Sequence, residues 1–220
     1  MKIVNFVHEN MDQLLFLTAE HVWIVAVSLA IAMVTGIPAG IAITRNKILA
    51  KKVLDGANIL MTIPSIAMFG LMLPVLAPYG MGLGKVPAVI ALVLYSELPI
   101  IRNTYIAIKN VDPALVDAGR GMGLTRWRLM WEVELPLAVP VILAGLRTAV
   151  VMNIGIGAIA AYIGAGGLGV FIQQGISRAY EEMIIAGALG VSMLAIVADS
   201  FMGLLQNLLT SKGIKLQGRQ

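Results

Sequence analysis

Apolar runs of roughly the length that crosses a bilayer recur five times in this chain. A helix rises 1.5 Å per residue, so roughly 20 apolar residues span the ~30 Å hydrocarbon core. The runs extend from Val22 to Ile43, Ala57 to Leu76, Val86 to Ile101, Leu137 to Ile163 and Met183 to Leu209; the third is short, with Pro87 near its start and Pro99 near its end. With no water to satisfy backbone N–H and C=O groups, an open-ended segment at that depth must be a helix. Composition agrees, since 59% of the 220 residues are hydrophobic and 13% are charged, too few polar side chains to cover a soluble domain. The expectation is an all-α integral membrane protein with five transmembrane helices in one domain, residues 22–209.

The ends of the chain read differently. "MDQLLFLTAEHV" has apolar residues at helical spacing among polar ones, which predicts an interfacial amphipathic helix within an external N-terminus, residues 1–21. His8, Glu9, Asp12, Glu20 and His21 interrupt these residues, so no cleavable signal peptide is expected. The two histidines stand too far apart for a metal site and read as interface residues. No cysteine is present, which excludes disulfides and thiolate metal sites.

Lys and Arg fix the orientation. Five spans put the termini on opposite sides, and one assignment gathers Arg45, Lys47, Lys51, Lys52, Arg102, Lys109, Arg120, Arg126, Arg128, Lys212, Lys215 and Arg219 inside. Only Lys2, Lys85 and Arg178 then lie outside, with Arg147 inside a span. Twelve against three predicts an external N-terminus and a cytoplasmic tail over 210–220. The net charge of +4 is therefore a topology signal and not a nucleic-acid footprint.

On the cytoplasmic side lies "DPALVDAGRGMGLTRWRLMWEVELP", residues 112–136. Asp112 before Pro113 is a helix start, a capping side chain followed by proline at the first helical position. Gly123 can take the left-handed conformation that ends helices. Thr125 can cap a second short helix with Trp127 and Trp131 on one face, and Pro136 starts the fourth span. Helix, sharp turn, helix is the expectation. On local physics alone such a segment is equally an ordinary connecting loop.

Its spacing resembles the permease subunits of ABC importers, whose cytoplasmic loop reads Glu-Ala-Ala, three residues, Gly, nine residues, Ile-x-Leu-Pro. Here Asp117-Ala118-Gly119 is followed by Gly123 and then by Val133, Leu135 and Pro136. Asp117, Gly119 and Val133 depart from the pattern, and Gly119 weakens a helix by about 1 kcal/mol relative to Ala. "AEHVWIVAVSLAIAMVTGIPAGI", "LPIIRNTYIAIKNVDPALVDAGRGMG" and "YIGAGGLGVFI" are similar to the glycine betaine/carnitine/choline branch of these permeases. The resemblance implies a type I permease in the bacterial cytoplasmic membrane, importing compatible solutes. It implies partners: ABC ATPase subunits, a second permease (identical or paralogous) and an extracytoplasmic solute-binding protein. Asp117, Ala118, Gly119 and Gly123 would enter the ATPase cleft. Glu97, where the branch suggests an apolar residue, departs from it. A permease for another small solute such as an amino acid, and an ion-coupled secondary carrier or channel, are the alternatives.

No catalytic constellation or phosphate loop occurs in the sequence; its sole Gly-Lys pair continues to Val86. No cofactor is expected on this chain, and ATP with magnesium would belong to the partner ATPase. "GAGGLG", residues 164–169, has the letters of a dinucleotide fingerprint without the strand–turn–helix setting that motif requires. It reads as a tight external turn, with Gly164, Gly166, Gly167 and Gly169 bordering an outer gate.

Glu97, Arg147, Asn153 and Asp199 stand out among the polar residues of the spans. Arg147 pairs with Glu97 or Asp199, serves the pathway directly, or snorkels to the interface. Asn153 lines the pathway or bonds a neighbouring helix. Pro64 should kink the second span where backbone groups find substitute partners. Few aromatics occur in the spans, so a cage for a quaternary ammonium is expected on the binding protein.

Overall fold

A computed structural model describes residues 2–210, and no strand occurs among them. The tail basic residues Lys212, Lys215 and Arg219 lie outside the described residues. Helix α1 is Lys2–Glu9, α2 Met11–Ile43, α3 Lys47–Thr62, α4 Ser65–Leu76 and α5 Lys85–Lys109. After the polar loop come α6, Pro113–Gly121, α7, Arg126–Leu129, and α8, Leu135–Ile159. A glycine turn precedes α9, Gly169–Arg178, and α10 is Glu181–Leu209. Four stretches are long and apolar enough to cross a membrane: α2, α5, the continuous run 126–163, and α10. The bent pair α3–α4 supplies the fifth when taken as one span.

The bend has a local cause. Pro64 offers no N–H and keeps Ile63 out of the α region, so Ile63 adopts φ −71° and ψ 124°. The two segments meet at 99°. The carbonyl freed at Ile63 accepts the Tyr95 hydroxyl at 2.6 Å, a substitute partner supplied by α5. What the sequence presents as one kinked span is a pair of helices sharply bent at Pro64.

The N-terminal boundary differs from expectation. Residues 11–22 are not a separate interfacial helix; they are the first turns of α2, whose 33 residues make ~50 Å of helix. The polar residues that suggested an interface have partners within the protein: Glu20 meets Lys85 at 2.7 Å, and His21 is buried with Nε2 at 3.1 Å from the Ile154 carbonyl. His21 is therefore a core residue, whereas His8 is exposed. The separate short helix is α1, held by Phe6 edge-on to Phe171 and Tyr180 at 5.9 and 5.4 Å.

Small residues let the central helices approach. Gly36 and Gly40, one turn apart on α2, face Ile100 and Thr104 of α5, and a methyl group at Gly40 would lie 2.9 Å from the Ile101 carbonyl oxygen. Gly145 of α8 meets α5 at the Pro99 carbonyl, where a methyl group would stand 2.8 Å away. This is the small-residue packing that membrane helices use where no hydrophobic effect drives them together. Helix α5 is the buried centre between α2 and α8, while α10 packs on α8 and α9 and leaves most of its surface uncovered.

The start of the fourth span also departs from expectation. No second free-standing helix precedes Pro136; α7 continues through one wide π-turn, residues 130–134, into α8. Proline removes a donor and crowds the carbonyl four residues earlier, and a π-turn accommodates both without breaking the helix. Val133, Leu135 and Pro136 thus lie inside a continuous rod.

Candidate functional site

The polar loop folds as a short helix closed by a defined turn. Asp112 caps α6 by accepting from the Ala114 N–H at 2.8 Å, with Pro113 at the first position. At the other end Gly123 has φ +82°. Its N–H donates to the Arg120 carbonyl at 2.9 Å, and the Leu124 N–H reaches back to the Gly119 carbonyl at 3.1 Å. These two bonds are the Schellman pattern, which satisfies carbonyls that a helix end leaves orphaned. Thr125 caps α7, accepting from Arg128 N–H at 3.4 Å.

Gly119 has a packing reason that spacing could not reveal. A methyl group there would stand 2.6 Å from the Leu129 Cδ1 and 3.4 Å from the Leu124 Cδ1. The missing β-carbon lets α7 and the turn lie directly on α6. Gly119 is accordingly buried, whereas Asp117, Ala118 and Met122 are exposed and form the loop's outer surface. Asp117 and Arg120 pair at 3.1 Å in full view of solvent, a contact worth little to stability. Val133 and Leu135 are half-buried behind the loop. Trp127 and Trp131 meet edge to face at 5.5 Å on one side of the rod.

Behind the outer surface lies an open cavity of about 680 Å³, where Asp117, Arg120, Arg126 and Glu134 face Arg45 and Lys109 from the ends of α2 and α5. In the sequence Arg45 and Lys109 carry only a topology signal. Nothing in their spacing to residue 117 signals that they share its cavity.

At the far end of the bundle the glycine run is a turn with three left-handed residues, Gly164 (φ +77°), Gly166 (φ +86°) and Gly167 (φ +79°). Gly169 starts α9 so close to Ala158 that a β-carbon would overlap the Ala158 carbonyl oxygen. Glu20 ties this turn to the bundle: it pairs with Lys85 and accepts from the Gly167 N–H at 3.4 Å, while the Lys85 ammonium lies 5.7 Å from the Trp23 ring centre. Nothing in the sequence marks Glu20 and Lys85 as a pair, because 65 residues separate them.

The intramembrane polar residues sort into three contacts. Arg147 forms a two-pronged pair with Asp199 of α10. Glu97 is not its partner and accepts instead from the Thr35 hydroxyl of α2 at 2.6 Å. Asn153 is fully buried and donates to Ser96 of α5 at 2.7 Å, the helix-bonding alternative. No group of three or more potential metal ligands occurs among the described residues.

Residues 23–211 match the family described as binding-protein-dependent transport system inner membrane component. The chain belongs to that family. It is a multi-pass inner-membrane permease. Among its relatives is the osmoprotectant import permease protein OsmW of Salmonella typhimurium strain LT2, 51% identical over 98% of this chain and all of that one. The glycine betaine/carnitine/choline transport system permease protein OpuCB of Bacillus subtilis strain 168 is 40% identical over 97% of this chain and 96% of that one. The fold is that of a chain of the MetNI methionine ABC transporter in an inward-facing conformation. The TM-score is 0.82 at 24% identity, covering 92% of this permease and 99% of that chain. The all-helical type I architecture implied by the sequence is therefore the observed one.

Proposed function

We propose that this permease is the membrane-spanning subunit of an ATP-driven importer of compatible solutes of the glycine betaine, carnitine and choline type. The observation that carries the reading is similarity over nearly the full chain to permeases named for osmoprotectant import and for glycine betaine, carnitine and choline transport. The geometry of the loop supports the mechanism. Helix α6 is capped at both ends, exposed on one side and packed through Gly119 onto a rod continuous with a membrane span. A push on Asp117, Ala118 and Met122 by a closing ATPase pair would pass into α8 with little lost in loop bending. ATP and magnesium would reside on that ATPase, a second permease would complete the pore, and a solute-binding protein would deliver cargo near the Glu20–Gly167 turn.

The test is uptake by cells lacking other osmoprotectant importers and expressing the whole transporter. Labelled glycine betaine, carnitine or choline is expected to accumulate; methionine accumulation without any of these would overturn the solute class.

The orientation belongs to the same reading. Arg45 and Lys109 share a cavity with Arg120 and Arg126, which supports a basic, cytoplasmic end there. Cysteines placed in this cysteine-free chain at the exposed positions Lys51 and Ala114 are expected to react with an impermeant thiol reagent from the cytoplasm only. One at Ser177, also exposed, is expected to react from outside only. The reverse pattern would invert the topology.

A further inference from the structure

Arg147 and Asp199 pair at a depth and exposure that packing alone does not explain. Arg147 lies ~18 Å along α8 and Asp199 ~15 Å from the end of α10, near the middle of a ~30 Å core. Yet their side chains are 41% and 38% exposed. The buried side of α8 carries Leu146, Ala149, Val150 and Asn153, and Arg147 lies at the edge of that side, reaching Asp199 on α10. Beside the pair, Thr148, Val151 and Met152 complete an open cavity of about 420 Å³. Hydrocarbon penalises charge at this depth, and ionisable groups there face protein or water. A notch that offers two full charges and a hydroxyl is poorly suited to acyl chains.

The pair also has capacity to spare. A guanidinium carries five N–H donors, of which two face Asp199, and each carboxylate oxygen has a further lone pair. The remaining face presents adjacent opposite charges with no net charge. That pattern complements a small molecule which itself carries a carboxylate and an ammonium a few bonds apart, and engages a simple cation through one half only. We propose that Arg147 and Asp199 form a transit subsite for zwitterionic solutes on a water-lined wall of the pathway. The guanidinium there faces the solute carboxylate and Asp199 faces its quaternary ammonium. This inference rests on the importer reading above and adds to it a site inside the spans.

The experiment uses the complete transporter in proteoliposomes. In the cysteine-free permease, Thr148→Cys is treated with a membrane-impermeant trimethylammonium thiosulfonate, with and without ATP. Reaction is expected in at least one state, slowed severalfold by glycine betaine delivered on its binding protein. Absence of reaction in every state would mean lipid or a second permease covers the pair, and would overturn the proposal, as would labelling that the solute does not slow. Independently, Arg147→Gln/Asp199→Asn removes both charges while keeping size. The ratio of glycine betaine to choline uptake is expected to fall at least about fivefold, the scale of a charge-assisted hydrogen bond. An unchanged ratio would also overturn the subsite, and if that variant does not assemble the Thr148→Cys labelling decides alone. A wild-type complex that imports neither solute would instead refute the importer reading.

Discussion

Gly123→Val is expected to abolish most coupled uptake while leaving the permease in the membrane at normal abundance. At φ +82° a residue with a β-carbon costs about 1–2 kcal/mol, and β-branching adds to that. Nothing lies within 4 Å of where the β-carbon would sit, so no packed neighbour is displaced. The whole effect falls on the direction of the chain. Relaxing φ breaks the bonds from Gly123 N–H to Arg120 and from Leu124 N–H to Gly119, and swings α6 off the rod. An ATPase closing on a misdirected α6 would hydrolyse ATP without moving α8. Gly123→Asn is the matched control, because asparagine tolerates the left-handed region far better than valine. It should retain most uptake. Normal uptake in Gly123→Val would make the loop a connector and remove Asp117, Ala118 and Met122 as docking residues.

The second large effect is on stability. Gly169→Ala is expected to cost ~3 kcal/mol and sharply lower permease abundance, at the upper end of overpacking penalties. Its methyl group would meet the backbone oxygen of Ala158, which cannot rotate away as a side chain could. Either α9 lifts from the end of α8 or the Gly164–Gly167 turn opens. Gly155→Ala, on the same helix as Ala158 but with nothing within 4 Å, should be neutral or slightly stabilising, since alanine favours helix. Thermal unfolding of the two variants in detergent separates these outcomes. Equal stability would mean that α9 does not approach α8 this closely.

What could be read in advance was local or repeated. Caps at Asp112 and Thr125 and the turn at Gly123 are decided by side chains within a few residues, so the loop's outline was legible. Five apolar runs made the spans legible too, though not their ends. Glu20 and His21 look interfacial until Lys85 and the Ile154 carbonyl come beside them, and only the fold brings those partners. The identity of Arg147's partner was undetermined for the same reason: two carboxylates lay at workable depths, and Thr35 takes one of them. The close contact of Gly119 with Leu129 spans ten residues across a turn, and periodicity carries no trace of it. Pro136 looked like a span start because a proline inside a helix usually interrupts it; the π-turn at 130–134 absorbs the interruption instead.

The most direct measurement of the central claim is the energy source of uptake in proteoliposomes holding the permease with its ATPase and loaded solute-binding protein. Glycine betaine accumulation should require internal ATP and the binding protein, persist when ionophores collapse every ion gradient, and be accompanied by stimulated ATP hydrolysis. Uptake that survives ATP depletion and stops on addition of the ionophore would make the chain an ion-coupled carrier, and the account of α6 as a lever would be wrong.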